Sequence, residues 1–217
     1  MIFKNRQEAG QKLALALKKF KDKKDALILA LPRGGVVVAY EIARDLNLPL
    51  DLVVPRKIGA PFNEEYAIGA ITETGEGIFN QEAISSLNIS QTYLNSKVAE
   101  ERKEAERRLK IYRHDREPLN LANKTVIIVD DGIATGLTMR AAIKSVKEKK
   151  AVKIIVAVPV TATDSLKIIE KEADEVIYLD APSFFGAVGE FYEEFAQTTD
   201  QEVIDLMNKS KNYGQKS

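Results

Sequence analysis

Short, wholly apolar runs alternate along the chain with longer stretches whose apolar residues recur at helical spacing. Ala9, Leu13, Ala16, Leu17 and Phe20 recur in this way behind Asn5, and Glu8 stands at capping-box distance from Asn5. The spacing predicts an amphipathic helix over Arg6–Phe20. Ala26–Leu31 is a continuous apolar run, which predicts a strand buried on both faces. Pro32-Arg33-Gly34-Gly35 ends it, and Val36–Leu46 reads as a helix. Asp51–Val54 is a second strand, closed by Pro55. Arg56–Glu65 reads as a polar loop, and Ala67–Thr72 with Gly77–Phe79 as a small antiparallel excursion around Thr74-Gly75. Ser90 to Glu117 is dense in Glu, Arg and Lys. It predicts a long exposed helix capped by Ser90 and stopped by Pro118, laced with i,i+4 pairs.

The alternation then resumes. Thr125–Val129, Lys153–Pro159 and Glu175–Leu179 read as strands, Gly136–Lys149 and Thr163–Glu172 as helices. Strands alternating with helices imply βαβ units and a Rossmann-like α/β fold, a parallel sheet flanked by helices. Ala181–Gly189 is an aromatic, glycine-containing loop, followed by short helices. Residues 1–208 read as one domain and 209–217 as a polar tail expected to fray.

Composition narrows the chemistry. The 217 residues suit one good-sized α/β domain. There are 32 basic and 32 acidic side chains, and this balance argues against a general nucleic-acid binder. No cysteine is present, which excludes disulfides, thiolate zinc sites and cysteine nucleophiles. The single histidine, His114, sits among charges and reads as a surface residue. No run of about 18 apolar residues predicts a membrane span. No apolar signal core follows Met1, so a cytoplasmic location is expected.

The chemistry concentrates in Val126-Ile127-Ile128-Val129-Asp130-Asp131-Gly132-Ile133-Ala134-Thr135-Gly136-Leu137-Thr138. A buried strand ends in two adjacent carboxylates at the carboxyl edge of a parallel sheet, where open α/β folds bind ligands. The turn that follows is small and hydroxylated and opens onto a helix N-terminus. It can aim backbone N–H groups, two hydroxyls and a favourable dipole at a phosphate. The carboxylates suit ribose hydroxyls or a hydrated Mg²⁺.

This segment resembles the phosphoribosyl-diphosphate (PRPP) signature of type I phosphoribosyltransferases. The resemblance implies that fold, with 90–117 an inserted charged helix and 181–208 a small hood and C-terminal helices. It implies that Asp130 and Asp131 meet the ribose 2′- and 3′-hydroxyls and hold Mg²⁺ indirectly, through water or PRPP. Ala134, Thr135, Gly136 and Thr138 would cradle the 5′-phosphate, and Gly132 would belong to the same PRPP site. Arg33, Gly34 and Gly35 look like the family's pyrophosphate loop. Arg56-Lys57-Ile58-Gly59-Ala60-Pro61 resembles the start of the mobile catalytic loop of adenine and orotate enzymes. The likeness runs from about Phe3 to Met207 and is closest to bacterial predicted phosphoribosyltransferases of unassigned substrate. These share the Arg-Lys-x-Gly-Ala-Pro loop, Ala67-Ile68-Gly69-Ala70, and a late segment standing here as Phe191-Tyr192-Glu193-Glu194-Phe195.

The departures bear on the acceptor. Hypoxanthine–guanine enzymes place Asp where Ala134 stands, adenine enzymes a second Lys where Ala60 stands, and orotate enzymes a later loop Lys absent between Lys57 and Lys97. The implied reaction is transfer of 5-phosphoribosyl from PRPP to a nitrogenous, base-like small-molecule acceptor with release of pyrophosphate. Arg56 and Lys57 would stabilise the leaving group and Glu65 would take the acceptor's proton, with Glu64 a second loop carboxylate. Phe184 or Phe185 could stack on a planar acceptor. The alternative is a PRPP-sensing regulatory protein without transferase activity. A homodimer is expected by analogy, and no nucleic-acid or membrane partner. The phosphate loop of NTPases and the G-x-G-x-x-G turn are both absent.

Overall fold

The computed structural model describes residues 1–74, 77–114 and 116–214, with Glu65 described by its backbone only. Five strands form a parallel sheet: β1 (Ala26–Ala30), β2 (Leu50–Leu52), β6 (Thr125–Val129), β7 (Lys153–Val160) and β8 (Glu175–Asp180), in the order β2-β1-β6-β7-β8. Every residue of β1 is buried, as its unbroken apolar sequence predicts for a strand covered on both faces. The period of two divides the side chains between two cores. Ile28, Ala30, Ile127 and Val129 face α1 (Arg6–Ala16), α2 (Gly34–Leu46) and α7 (Asp200–Lys209). Leu27, Leu29, Val126 and Ile128 face α5 (Leu137–Glu148) and α6 (Thr163–Ile169).

A second sheet of three antiparallel strands stands beside the first. It comprises β3 (Arg56–Ala60), β4 (Asn63–Ile71) and β5 (Gly77–Phe79). This corrects the reading of Arg56–Glu65 as a loop, because Arg56, Lys57 and Ile58 pair with Ile71, Ala70 and Gly69. Ile58 and Ala60 bury their side chains against Ile68, Ile71 and Leu94 in a separate small core. Two inward residues in a five-residue run are a faint alternation, and the pairing partner lies beyond a turn.

Between β5 and β6 in the chain come α3 (Gln81–Ser86), unforeseen in the sequence, and the long α4 (Gln91–Arg113). Asn80 and Ser90 cap them through their side-chain oxygens. The expected extent of α4 to Glu117 is corrected: His114 takes a left-handed φ of 52° and ends the helix before Pro118. The chain past α7 does not fray through residue 214 as expected. Ser210 is fully buried, and the Tyr213 ring lies 5.9 Å from that of Tyr40, their hydroxyls 3.1 Å apart.

Candidate functional site

Strands β1, β2 and β6 all end at one edge of the parallel sheet, so the residues just after them converge. Asp130 and Asp131 follow β6, Arg33, Gly34 and Gly35 follow β1, and Arg56 follows β2 after a short link. The two glycines are pressed against the two acids. A Cβ on Gly34 would collide with Asp131 Oδ2, and one on Gly35 would stand 2.9 Å from both Cα and Oδ1 of Asp130. Only glycine permits this approach. It places the loop after β1 directly against the acid pair, and the peptide linking Pro32 to Arg33 within it is cis.

The acid pair is held asymmetrically. Asp130 Oδ1 accepts the Asp131 N–H at 2.8 Å. Burial, then the neighbouring Asp131 carboxylate, raise the Asp130 pKa well above the ordinary carboxylate range. Asp131 Oδ2 accepts from Arg6 Nε at 2.7 Å. The Arg6 guanidinium lies 3.8 Å from the Phe195 ring centroid, and its Nη1 donates to the Ala196 carbonyl at 2.8 Å. Tyr192 donates its hydroxyl to the Asp131 carbonyl at 2.6 Å and stacks on Phe195 with centroids 5.0 Å apart. The late aromatic segment is therefore the back wall of the acid pair. Sequence reasoning assigned no site role to Arg6, Tyr192 or Phe195. The only signal was the recurrence of Phe191–Phe195 in related proteins.

The cup follows. Ile133 donates its N–H to Val160 and accepts from that of Ala162, which ties the turn to the end of β7. Ser165 donates its hydroxyl to the Ala134 carbonyl. Ala134 and Thr135 are exposed, and Gly136 turns the chain with φ of 74° into α5. Among the described residues no side chain caps that helix N-terminus, which leaves its first N–H groups without a side-chain acceptor. Gly132 supports the turn from beneath, against Val188 of the hood loop. Thr138 sits half-buried in the first turn of α5. A turn and helix N-terminus of this kind, beside two carboxylates, can accept an anion.

The two arginines at this edge each meet a carboxylate. Arg33 Nη1 lies 3.4 Å from Asp200 Oδ1, which also accepts the Tyr112 hydroxyl at 2.6 Å. Tyr112 and then Arg33 lower the Asp200 pKa, while burial and Asp200 push the Tyr112 hydroxyl up to about 12. Arg56 pairs with Glu101 of α4. Lys57 is exposed on β3, Glu64 pairs with Lys97 at 3.4 Å, and the side chain of Glu65 lies outside the described residues. Phe184 is 84% exposed. Phe185 is half-buried and packs on Phe191 with ring centroids 5.0 Å apart. No group of three or more His, Asp or Glu suited to a metal occurs among the described residues.

A parallel α/β sheet with an acid pair, a glycine pair and an uncapped helix N-terminus at its carboxyl edge has the architecture of the type I phosphoribosyltransferase fold. The chain belongs to the phosphoribosyl transferase domain family, whose model matches residues 2–195. It is similar to a candidate phosphoribosyl transferase of Mycobacterium tuberculosis, 37% identical over 209 residues, 96% of this chain. The match takes in 47% of that protein, so the chain spans less than half the relative's length. A shorter match, 44% identical over 54 residues, is to uracil phosphoribosyltransferase of Mycoplasma genitalium, covering 25% of this chain and 26% of that one. Among solved structures, the protein TT1426 from Thermus thermophilus is 38% identical with a TM-score of 0.80, over 96% of this chain and 99% of that one. No helix among the described residues is long and apolar enough to cross a membrane.

Proposed function

We propose that this chain transfers the 5-phosphoribosyl group of PRPP to a nitrogen of a small acceptor and releases pyrophosphate. The observation that carries the reading is the packing of Gly34 and Gly35 onto Asp130 and Asp131 beside the uncapped N-terminus of α5. One donor molecule would satisfy all three features. Its 5′-phosphate fits the cup of Ala134, Thr135, Gly136 and Thr138, and its ribose hydroxyls fit the acid pair. Its diphosphate fits the backbone opened by the glycines, with Arg33 and Arg56 at hand.

In the reaction the acceptor's nitrogen lone pair bonds to ribose C1. The C1–O bond to pyrophosphate breaks, pyrophosphate leaves with the electron pair, and the nitrogen's proton passes to a base. Arg33, Arg56 and Lys57 meet the charge that grows on the leaving group. Glu65 remains the proposed base, with Glu64 anchored to Lys97 as its neighbour. Asp130 and Asp131, adjacent at the sheet edge, would hold a hydrated divalent ion indirectly, through water or PRPP. Mg²⁺ bound there would supply electrostatic stabilisation of the departing pyrophosphate.

The acceptor reading is tested by following pyrophosphate release from Mg²⁺·PRPP across a panel of purines, pyrimidines and simple amines. Release stimulated by one class, with a phosphoribosylated product, supports transfer. PRPP binding with no release from any acceptor favours the regulatory alternative.

A further inference from the structure

Helix α4 buries one stripe along its length, formed by Leu94, Glu101, Ala105 and Tyr112. Glu101 is the anomaly in it, a carboxylate 8% exposed in the middle of an otherwise solvated, charged helix. A carboxylate so placed is costly unless paired. Its Oε2 lies 2.7 Å from both Nε and Nη2 of Arg56. Its Oε1 lies 3.6 Å from Lys97 Nζ, which also reaches Glu100 at 3.2 Å and Glu64 at 3.4 Å. The same helix grips the backbone next to Arg56. Tyr93 donates its hydroxyl to the Gly59 carbonyl at 3.0 Å, and Leu94 closes over Ile58 and Ala60. Arg56 and Glu101 stand together in the wall of an open cleft of about 760 Å³, with Ser96, Lys103 and Arg107 of α4.

We propose that Glu101 is the positioning residue for Arg56, and that it holds the guanidinium ready for the diphosphate of the phosphoribosyl donor; this rests on the donor reading given above. A guanidinium has five N–H donors. Glu101 engages one on Nε and one on Nη2, which leaves three on the outer edge of the fork for an anion. An arginine free in solvent must lose rotamer freedom when it grips a ligand, and one already fixed has lost it during folding. Lys97 Nζ stands 3.6 Å from the second oxygen of Glu101 and adds positive charge on that side of the carboxylate. The charged helix thus has a use beyond solubility: it carries the brace for a residue of the neighbouring sheet.

The same contact could instead be a latch in which Glu101 competes with the ligand for Arg56, and the two roles predict opposite signs. The test is calorimetric titration of the full chain with Mg²⁺·pyrophosphate and, separately, with ribose 5-phosphate. Native protein is compared with Glu101→Ala and Glu101→Gln. Positioning predicts that Glu101→Ala weakens pyrophosphate binding roughly tenfold and leaves ribose 5-phosphate unchanged. Glu101→Gln should recover most of the loss, because its amide oxygen still accepts from the guanidinium. Unchanged or tighter pyrophosphate binding in Glu101→Ala overturns the proposal. Equal weakening of both ligands, with no rescue by Gln, marks a role in folding alone and also overturns it. Native protein that binds neither ligand overturns the donor reading itself, and the positioning role with it.

Discussion

Burial beside a second carboxylate raises the proton affinity of Asp130, and this links its protonation to folding. In the unfolded chain the group titrates near the ordinary Asp value of about 3.9. Between that pH and its higher folded pKa, the folded protein keeps a proton that the unfolded chain has released. Stability therefore falls as pH rises through that window and stays lower above it. Asp130→Asn removes the penalty. In the absence of Mg²⁺ and PRPP, the variant should melt at a higher temperature than native protein near neutral pH. The difference should shrink as the pH falls toward roughly 4, below which both forms are neutral. PRPP affinity should be lost in the same variant, the exchange of stability for function common at binding sites. Thermal melts across pH together with titration check both halves, and a variant no more stable at neutral pH contradicts the account. At this scale the acid pair and the glycines were legible, because their chemistry lies in adjacent letters. Arg6 was not. It reads as the first polar residue of an amphipathic helix, and only the closure of the fold sets it against Asp131, 125 positions away.

At the scale of elements, the loop after β1 and the acids after β6 act as one piece. Gly34→Ala would drive a methyl group into the Asp131 carboxylate and to within 2.7 Å of Arg6 Nε. The side chains can move only by breaking the Arg6–Asp131 pair. PRPP binding should fall by at least about tenfold while the fold persists with a lowered melting temperature. Titration and thermal unfolding of the variant give both numbers, and unaltered affinity would show that the close packing has no part in the site. The strands and helices of the parallel sheet were readable from continuous apolar runs and helical spacing. The β3–β4 hairpin was not, since Ile58 and Ala60 are the only inward residues of β3 and glycine and proline surround them. Helix α4 was recognised as a helix, and pairs such as Arg102–Glu106 and Arg108–Glu104 lace its surface as expected. Its buried stripe escaped notice because Leu, Glu, Ala and Tyr make a weak apolar pattern.

For the molecule as a whole, the C-terminal segment completes the core that backs the site. Val203 and Met207 of α7 are fully buried with α2 and the sheet, and Arg116 donates to the Met207 carbonyl at 2.9 Å. Ser210 and Tyr213 extend that contact to Tyr40 of α2, the helix that begins at Gly34. Truncation after Lys209 should therefore lower the melting temperature by several degrees, measurable by calorimetry. A truncated chain as stable as the full one would show that the segment is dispensable. A tail of Lys, Asn, Gly, Gln and Ser letters disguises this role, because one anchor, Ser210, is itself polar and the other, Tyr213, stands alone among polar residues. The central claim is that one phosphorylated ribose diphosphate satisfies the acid pair, the glycine pair and the helix N-terminus together. Calorimetric titration with PRPP, with and without Mg²⁺, of the native chain and of the Asp130→Asn/Asp131→Asn variant tests it most directly. The account predicts Mg²⁺-dependent binding to the native protein that is abolished in the folded double variant. Absence of binding to the folded native chain, or equal binding by the variant, would contradict it.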